Sequence, residues 1–269
     1  MNRPFTVIVT GGSRGLGRGL LDAFLARGAR VVFCGRSDAS VAKVERELAA
    51  QSDKLLGVVA DVGRYVEVVR LWESAVARFG VVDVWINNAG LSNVQRAFAQ
   101  LPASEIADVV SVNLLGSMNG ARVAIERMTA QGHGFVYNME GYGSDGGTQH
   151  GMSVYGSTKR AIRYFTRSLV KETRGGPVKV GSLSPGIVVT DLLLDVYRRG
   201  EPANWRKKRW LFNLIADPVE VVAPWLAERV LASPRHGAHI AWMTVPKALL
   251  RGLSPAYHRR DLFGDRLPR

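Results

Sequence analysis

Short apolar runs alternate along this chain with longer segments in which apolar residues recur at helical spacing. Short, β-branched apolar runs are typical of buried strands, and the wider spacing is typical of helices that bury one face. Regular alternation of the two predicts an α/β fold, with a doubly wound parallel sheet covered by helices on both faces. The pattern predicts seven strands, near 5–9, 30–34, 55–60, 82–86, 134–138, 178–183 and 238–242, and helices near 15–27, 39–50, 64–79, 103–130, 152–174 and 217–232.

The chain reads as one domain over residues 1–269. No Pro/Ser-rich linker, low-complexity run or internal repeat divides it. A chain of 269 residues with 46% apolar residues can bury one large core.

A glycine-rich turn follows the first predicted strand. The residues at 10–17 read Thr-Gly-Gly-Ser-Arg-Gly-Leu-Gly, and a predicted helix begins there. Gly11, Gly15 and Gly17 have no Cβ, so a diphosphate can approach the backbone, and the helix N-terminus offers it free N–H groups. Because the turn lies between a strand and a helix, it predicts a nucleotide site rather than tight packing alone.

Tyr155 and Lys159 lie four residues apart on a predicted helix and so share one face. A phenol titrates near ~10 in water, and a neighbouring cation favours the phenolate. The pair therefore predicts a Tyr with a lowered pKa that exchanges protons with an alcohol or carbonyl oxygen. On its own the spacing is more typical of an ordinary surface helix.

Five motifs in order resemble the short-chain dehydrogenase/reductase family, over roughly residues 5 to 242. They are T-G-x-x-x-G-x-G at 10–17, N-N-A-G at 87–90, Asn113 in S-V-N-L, Y-x-x-x-K at 155–159 and P-G at 185–186. The resemblance implies a Rossmann-type fold, a nicotinamide cofactor at the carboxyl ends of the strands, and a homodimer or homotetramer. It implies that Tyr155 and Lys159 are catalytic and that Asn113 holds a water near the lysine.

Cofactor contacts follow from the same resemblance and from the charges discussed next. Asp61 and Val62 match the family's acid-apolar pair beside the adenine, and Thr190 matches the hydroxyl that contacts the nicotinamide amide. No metal is implied. The predicted contacts are Gly11, Ser13, Arg14, Gly15, Leu16, Gly17, Arg36, Ser37, Asp61, Val62, Asn88, Ala89, Gly90, Tyr155, Lys159, Pro185, Gly186, Val188 and Thr190.

The charges after the second strand predict NADP(H). Proteins that use NAD commonly end this strand with an acid that binds the ribose 2′-hydroxyl. Here the strand is followed by Gly35, Arg36 and Ser37, and a second cation, Arg14, lies in the glycine turn. Two guanidinium groups stabilise an extra phosphate, and Ser37 adds a hydrogen bond. The plain alternative is that Arg36 is a solvated residue.

The family's catalytic Ser has no counterpart here. Counting back about thirteen residues from Tyr155 gives Tyr142, and aligning by the strand gives Glu140 or Gly141. Three groups stay open for polarising the substrate oxygen: Ser144, Tyr142, or a backbone N–H of this glycine-rich loop. Ser144 is equally interpreted as a plain turn residue.

Three segments, at 138–147, 154–159 and 184–194, resemble the chlorophyll b reductase branch of the family. That branch reduces a formyl group on a large tetrapyrrole with NADPH. The resemblance implies an NADP(H)-dependent oxidoreductase acting on the carbonyl or alcohol of a bulky lipophilic substrate. The alternatives are another lipophilic ketone or alcohol, and a non-catalytic NADPH-binding sensor or scaffold that kept the fold.

The C-terminal third is basic and aromatic. The chain has a net charge of +13, and residues 195–269 hold 14 Lys and Arg against 7 Asp and Glu. In the region of the family's substrate cover, which we place at 187–215, Trp205, Trp210 and Phe212 are interleaved with four cations. A solvated face, a lid whose aromatics face a bulky substrate, and a membrane-surface patch all fit. The positive charge alone would also suit nucleic-acid binding, but no recognition motif in the sequence supports that function.

Beyond the last strand, a C-terminal extension at 243–269 contains a short apolar and basic helix, Val245–Leu253. Its composition fits docking on a neighbouring subunit or on a bilayer, and the sequence does not distinguish between these two partners.

We expect a cytosolic protein. A strand is predicted within five residues of Met1, which leaves no room for a secretory signal. No apolar stretch approaches the ~18 residues of a membrane span. Cys34 is the single cysteine and lies in an apolar strand, so a buried, reduced thiol is predicted.

Overall fold

A computed structural model describes residues 3–198, 202–232 and 235–264, without the side chains of 202–204, 206 and 207. The predicted cations Arg206 and Lys207 therefore lie outside the described side chains. The strands are β1 (Thr6–Val9), β2 (Arg30–Gly35), β3 (Leu55–Val59), β4 (Val84–Asn87), β5 (Gly134–Met139), β6 (Val178–Ser184), β7 (Ile187–Val189), β8 (Ala216–Pro218) and β9 (His239–Ala241).

Seven of these strands form one sheet in the order β3-β2-β1-β4-β5-β6-β9, and every pairing is parallel. The predicted seven-stranded doubly wound sheet is confirmed. From β1 the chain adds β2 and β3 on one side and then returns to add β4 on the other. This reversal leaves a crevice beyond the carboxyl ends of β1 and β4, where open α/β sheets bind ligands.

The helices account for the predicted periodic segments, with one break. The predicted helix 103–130 is two helices joined by a π-helical turn at Ser111–Leu115. The helices are α1 (Gly15–Leu25), α2 (Asp38–Glu47), α3 (Tyr65–Phe79), α4 (Ala103–Val110), α5 (Gly116–Gln131), α6 (Ser153–Glu172), α7 (Asp191–Arg198), α8 (Pro202–Ile215), α9 (Val219–Leu231), α10 (Val245–Leu253) and α11 (Pro255–His258).

Alternate residues of each central strand feed two separate cores. Val7 and Val9 of β1 pack with apolar residues of α1, α2 and α9, whereas Ile8 packs on the opposite side with those of α3 and α5. This is the two-residue period of a strand that is buried on both faces. Cys34 of β2 lies in the second core, and burial raises the pKa of its thiol to about 11, as expected of an unreactive cysteine.

A third, smaller core holds the segment between β7 and β8, which pair with each other. Trp205 of α8 is fully buried, and its ring lies 4.7 Å from that of Phe263 and 5.1 Å from that of Tyr197. Phe212 joins the same cluster. The alternative in which these aromatics face a substrate is wrong for Trp205 and Phe212, because both pack against other aromatic rings inside the third core. Trp210 is 58% exposed.

Within the described residues, no helix has the length and apolarity needed to cross a bilayer.

Candidate active site

The sequence-predicted site residues lie where the strands of the main sheet end. The glycine turn follows β1, Arg36 and Ser37 follow β2, Asp61 and Val62 follow β3, and 88–90 follow β4. The loop 140–144 follows β5, and 185–190 follow β6. Because parallel strands share one carboxyl edge, six stretches of chain separated by up to about 180 residues meet at one crevice.

The glycine turn is held in place by the end of β4. The hydroxyl of Thr10 accepts hydrogen bonds from the N–H groups of Asn88 and Ala89, both at 3.0 Å. The amide of Asn88 donates in return to the Thr10 carbonyl at 2.9 Å. Gly11 has a φ of +66° and Gly15 of +56°, which L side chains rarely adopt. The glycines are therefore needed for the shape of the turn.

The segment after β6 closes over this turn. Gly186 has a φ of +70°, and a Cβ there would lie 2.9 Å from the Cβ of Met243. The methyl group of Thr190 lies in van der Waals contact with the position of a Cβ on Gly15, at 3.5 Å. Val188 is buried in β7 and Pro185 precedes Gly186, so both shape the segment.

The described residues around α1 and α2 leave room and charge for a dinucleotide phosphate. No side chain caps the N-terminus of α1, so its first N–H groups are free for an anion. Arg14 and Arg36 are exposed, and neither guanidinium group forms an ion pair or hydrogen bond with another described residue. Ser37 caps α2 by accepting from the Ser40 N–H at 3.4 Å. These features fit NADP(H) and would hold its diphosphate and 2′-phosphate.

Four further predicted contacts lie in the turns after β1 and β3. Asp61 accepts a hydrogen bond from the Gly63 N–H at 2.9 Å and so fixes the turn after β3, while Val62 is buried beside it. Ser13 lies next to Gly35 at the end of β2. A Cβ on Gly35 would lie 3.4 Å from the Cβ of Ser13. Leu16 packs against the core and anchors the turn.

Tyr155 and Lys159 lie on one face of α6, as predicted, but burial rather than their mutual contact governs their protons. The Lys159 ammonium donates to the Met139 carbonyl at 3.1 Å and lies 5.8 Å from the centre of the Tyr155 ring. Burial raises the pKa of Tyr155 to about 12 and lowers that of Lys159 to about 8. The predicted downward shift of the Tyr155 pKa is therefore wrong for this structure, since desolvation outweighs the cation.

Glu140 lies beside this pair and is 4% exposed. Its charge raises the pKa of Lys159 and so opposes the lowering caused by burial. The guanidinium of Arg163 lies 3.9 Å from one carboxylate oxygen and the ring of His239 lies 3.7 Å from the other. Because both contacts are long, the negative charge of Glu140 also acts on Lys159 and favours its ammonium form.

Asn113 is fully buried in the π-helical turn and is tied to its surroundings. Its side chain accepts from the Leu91 N–H at 2.7 Å and donates to the Leu91 carbonyl and to the Thr158 hydroxyl. A Cβ on Gly90 would lie 3.5 Å from its oxygen and 3.9 Å from the Lys159 nitrogen. Asn113 thus joins β4, the π turn and α6 around the lysine.

Asn93 positions Tyr155 and was missed by the sequence analysis. It is fully buried, its oxygen accepts from the Tyr155 N–H at 3.1 Å, and its amide donates to the Gly151 carbonyl at 2.8 Å. It thereby fixes the start of α6. No spacing or motif marks it, because its partners are about 60 residues away in sequence.

The loop after β5 contains two of the groups predicted to polarise the substrate oxygen, Ser144 and Tyr142. Ser144 is 3% exposed and its hydroxyl is fully engaged, donating to the Lys159 carbonyl at 3.3 Å and accepting from the Gly141 N–H at 3.0 Å. The prediction that Ser144 polarises the substrate oxygen is therefore not favoured, since its hydroxyl fixes the loop on α6. Tyr142 is 42% exposed, and its N–H finds no acceptor within the described residues.

Gly141 lets the phenol of Tyr155 approach the backbone. A Cβ on Gly141 would lie 2.5 Å from the Tyr155 hydroxyl oxygen, closer than a real contact allows. We expect Gly141→Ala to displace the phenol and to lower carbonyl reduction by at least about tenfold, since small misplacements of reacting groups are costly. Gly156→Ala is the matched control, because the nearest atom to its Cβ is 4.0 Å away.

The measurement is steady-state reduction of a good aldehyde together with NADPH affinity by fluorescence. Both variants should bind NADPH normally, and only Gly141→Ala should lose turnover. Equal turnover in the two variants would show that the phenol has no need of this close approach.

Comparison with known proteins gives one family. A profile described as short chain dehydrogenase matches residues 5–199. The chain is 37% identical over 281 residues to the probable chlorophyll(ide) b reductase NYC1 of Oryza sativa subsp. japonica, covering 97% of this chain and 54% of that protein. It is 32% identical over 193 residues to an NADPH-dependent pterin aldehyde reductase of Arabidopsis thaliana, covering 71% and 78%. The fold is similar to the crystal structure of the KRED1-Pglu enzyme, with a TM-score of 0.77 and 28% identity, covering 88% and 100%.

The chain spans about half the length of the first curated relatives that it matches, 54% and 55%. The same comparison corrects the expected cytosolic location: the chlorophyll(ide) b reductases among the relatives, from Oryza sativa subsp. japonica and Arabidopsis thaliana, are chloroplastic. The cytosolic prediction is wrong on this finding. A single buried cysteine and the lack of a long apolar run suit more than one compartment, so neither fixes a location.

A family match over more than half of the chain agrees with the parallel sheet and with the site at its carboxyl edge. The chain belongs to the short-chain dehydrogenase/reductase family, in a branch that resembles the chlorophyll b reductases.

Proposed function

We propose that this protein is an NADP(H)-dependent oxidoreductase that acts on the carbonyl or alcohol of a bulky lipophilic substrate. Formyl reduction of the chlorophyll b reductase type is the reaction that the relatives favour. The observation that carries the proposal is Tyr155, a half-buried phenol with a raised pKa that lies one helical turn from the buried Lys159. The name of the pterin aldehyde reductase supports NADPH and an aldehyde substrate.

The chain's own groups supply the proton and the orientation. When bound at the carboxyl edge of the sheet, a reduced nicotinamide would supply the hydride. Tyr155 donates its phenolic proton to the carbonyl oxygen as negative charge develops there. The Met139 carbonyl and the field of Glu140 hold the Lys159 ammonium beneath the phenol. Tyr142, through its hydroxyl or its free N–H, polarises the carbonyl oxygen in place of the absent Ser.

The direction of the pKa shifts predicts opposite pH dependences for the two directions of reaction. Reduction needs the neutral phenol of Tyr155 and the ammonium of Lys159, so its kcat/KM should be constant below pH ~8 and fall above it as Lys159 loses its proton. Oxidation of the alcohol needs the phenolate and should rise with pH toward ~12. Initial rates in both directions between pH 6 and 10 test this, and a reduction rate that rises through pH 8 would contradict it.

The free guanidinium of Arg36 predicts the cofactor preference. Arg36→Ala should weaken NADPH binding by about 10- to 100-fold and leave NADH binding nearly unchanged, because a hydrogen bond to a charged group contributes ~1.5–3 kcal/mol. Lys43→Ala, 71% exposed on the adjacent α2, is the matched control. Titration calorimetry with both nucleotides measures the ratio. Equal losses for NADPH and NADH would remove Arg36 from the 2′-phosphate site.

NADPH oxidation across a panel of bulky aldehydes, including a formyl tetrapyrrole, tests the function as a whole. Turnover of the formyl tetrapyrrole, with smaller aldehydes reduced more slowly, is the expected result. NADPH binding without turnover of any aldehyde or ketone would favour the non-catalytic sensor instead. Turnover confined to other lipophilic ketones would keep the reaction class and reject the tetrapyrrole.

A further inference from the structure

The helix α10 exposes its apolar side and buries its polar side. Val245, Leu249, Leu250 and Leu253 are 75%, 66%, 69% and 82% exposed. Their spacing of four, five and eight residues places them along one side of the helix. Amphipathic helices of globular proteins ordinarily turn such a side toward the core. Here the apolar side faces outward.

The opposite side of α10 is polar and is firmly held. Arg251 is 5% exposed, and its guanidinium lies 2.7 Å from the buried carboxylate of Asp217. The ammonium of Lys247 lies 3.0 Å from the centre of the Trp242 ring and donates to the Trp242 carbonyl. Thr244 caps the helix by accepting from the Lys247 N–H. The outward direction of the leucines is thus fixed by buried polar contacts.

The apolar surface continues onto the adjoining helix α8. Trp210 is 58% exposed and Leu211 is 41% exposed, and α8 packs against both α10 and α11. The Trp210 ring lies 5.9 Å from that of His258 on α11. We call these six exposed residues of α8 and α10 the α8–α10 patch, namely Val245, Leu249, Leu250, Leu253, Trp210 and Leu211.

The sequence around the α8–α10 patch is rich in cations. The sequence of α8 carries four Lys and Arg and no acid. Residues 245–264 carry four Lys and Arg, of which Arg251 and Arg260 are paired with the buried Asp217. Asp261 is already paired with Arg209 at 2.8 Å, and Arg259 is exposed. The surface therefore combines apolar side chains, an exposed Trp and an excess of positive charge.

We propose that the α8–α10 patch docks the protein on an anionic lipid bilayer surface. Leucines that enter the acyl boundary, a Trp at the headgroup level and cations against anionic headgroups form the pattern of an interfacial helix. A second copy of the chain fits less well, because a symmetric contact would bring the same cations opposite each other. This inference does not depend on the proposed catalytic reaction.

Co-sedimentation with vesicles tests the docking. The full chain should bind vesicles of phosphatidylcholine with about 30% phosphatidylglycerol far better than pure phosphatidylcholine, and added salt should weaken the binding. Leu249→Ser with Leu250→Ser should lower binding at least about tenfold, since both lose apolar contact with the acyl region. Val66→Ser with Tyr164→Ser, at sites 68% and 75% exposed elsewhere, is the matched control.

Thermal unfolding and NADPH binding of both double variants check that the chain stays folded. Equal vesicle binding by the Leu249/Leu250 variant and its control would overturn the proposal, as would absence of binding to anionic vesicles. Light scattering separates the other occupant: a dimer that the Leu249/Leu250 change dissociates, without vesicle binding by the wild type, would assign the patch to a second copy.

Discussion

Tyr155→Phe is expected to lower carbonyl reduction by about 10²–10⁴-fold, the usual contribution of a positioned general acid. The change removes one oxygen and leaves the ring, which α6 holds through the Asn93 contact to the Tyr155 N–H. NADPH affinity should change by only a few-fold, because the glycine turn and the two arginines lie after β1 and β2 and not on α6. Single-turnover reduction and NADPH fluorescence measure the two effects separately.

Tyr164→Phe is the matched control, since Tyr164 is 75% exposed on the same helix. Tyr142→Phe, at the 42% exposed position in the loop after β5, completes the set. A moderate loss there would support its hydroxyl as the polarising group, and no loss would leave the free N–H of the loop. A Tyr155→Phe variant that reduces a good substrate at the wild-type rate would show that the proton comes from elsewhere.

Local patterns fixed much of this fold in advance. The apolar runs predict every strand of the main sheet, because a strand buried on both faces has a continuous apolar sequence. The glycines at 11 and 15 mark the turn because its positive φ angles exclude most side chains. The strands and the glycine turn depend on residues that are neighbours in sequence, so short stretches of sequence are enough to predict them.

The protonation of the site was not predictable in the same way. Two side chains at helical spacing predict a contact, but the pKa of Tyr155 depends on its burial in the folded chain. Ser144 shows the same limit, because only the folded loop reveals that its hydroxyl is used by Gly141 and Lys159. Asn93 carries no signal at all in its own neighbourhood.

The segment 187–215 shows that composition alone does not predict which side chains of a helix are buried. Trp205, Trp210 and Phe212 share one helix, and their aromatic character suggested a common surface toward the substrate. The helix instead divides them, with Trp205 and Phe212 inside the third core and Trp210 outside. Which side of α8 is buried depends on Tyr197 and Phe263, which come from segments before and after it.

Trp205→Ala should therefore release the lid and leave the main sheet intact. Trp205 is fully buried and contacts three aromatic rings, so its truncation should cost about 3–5 kcal/mol. This loss falls on a core separate from the two that hold the sheet. We expect hydrogen exchange to rise in α7 and α8 but not in β1–β6, with KM for a bulky aldehyde raised at least about tenfold.

Trp210→Ala is the control on the same helix, because truncating an exposed side chain leaves the third core filled. It should keep both the exchange protection and the KM of the wild type, while NADPH affinity stays similar in all three proteins. If Trp205→Ala kept α8 protected and the KM unchanged, the lid would not depend on its aromatic core. If the whole sheet lost protection as well, the third core would be part of one cooperative unit with the other two.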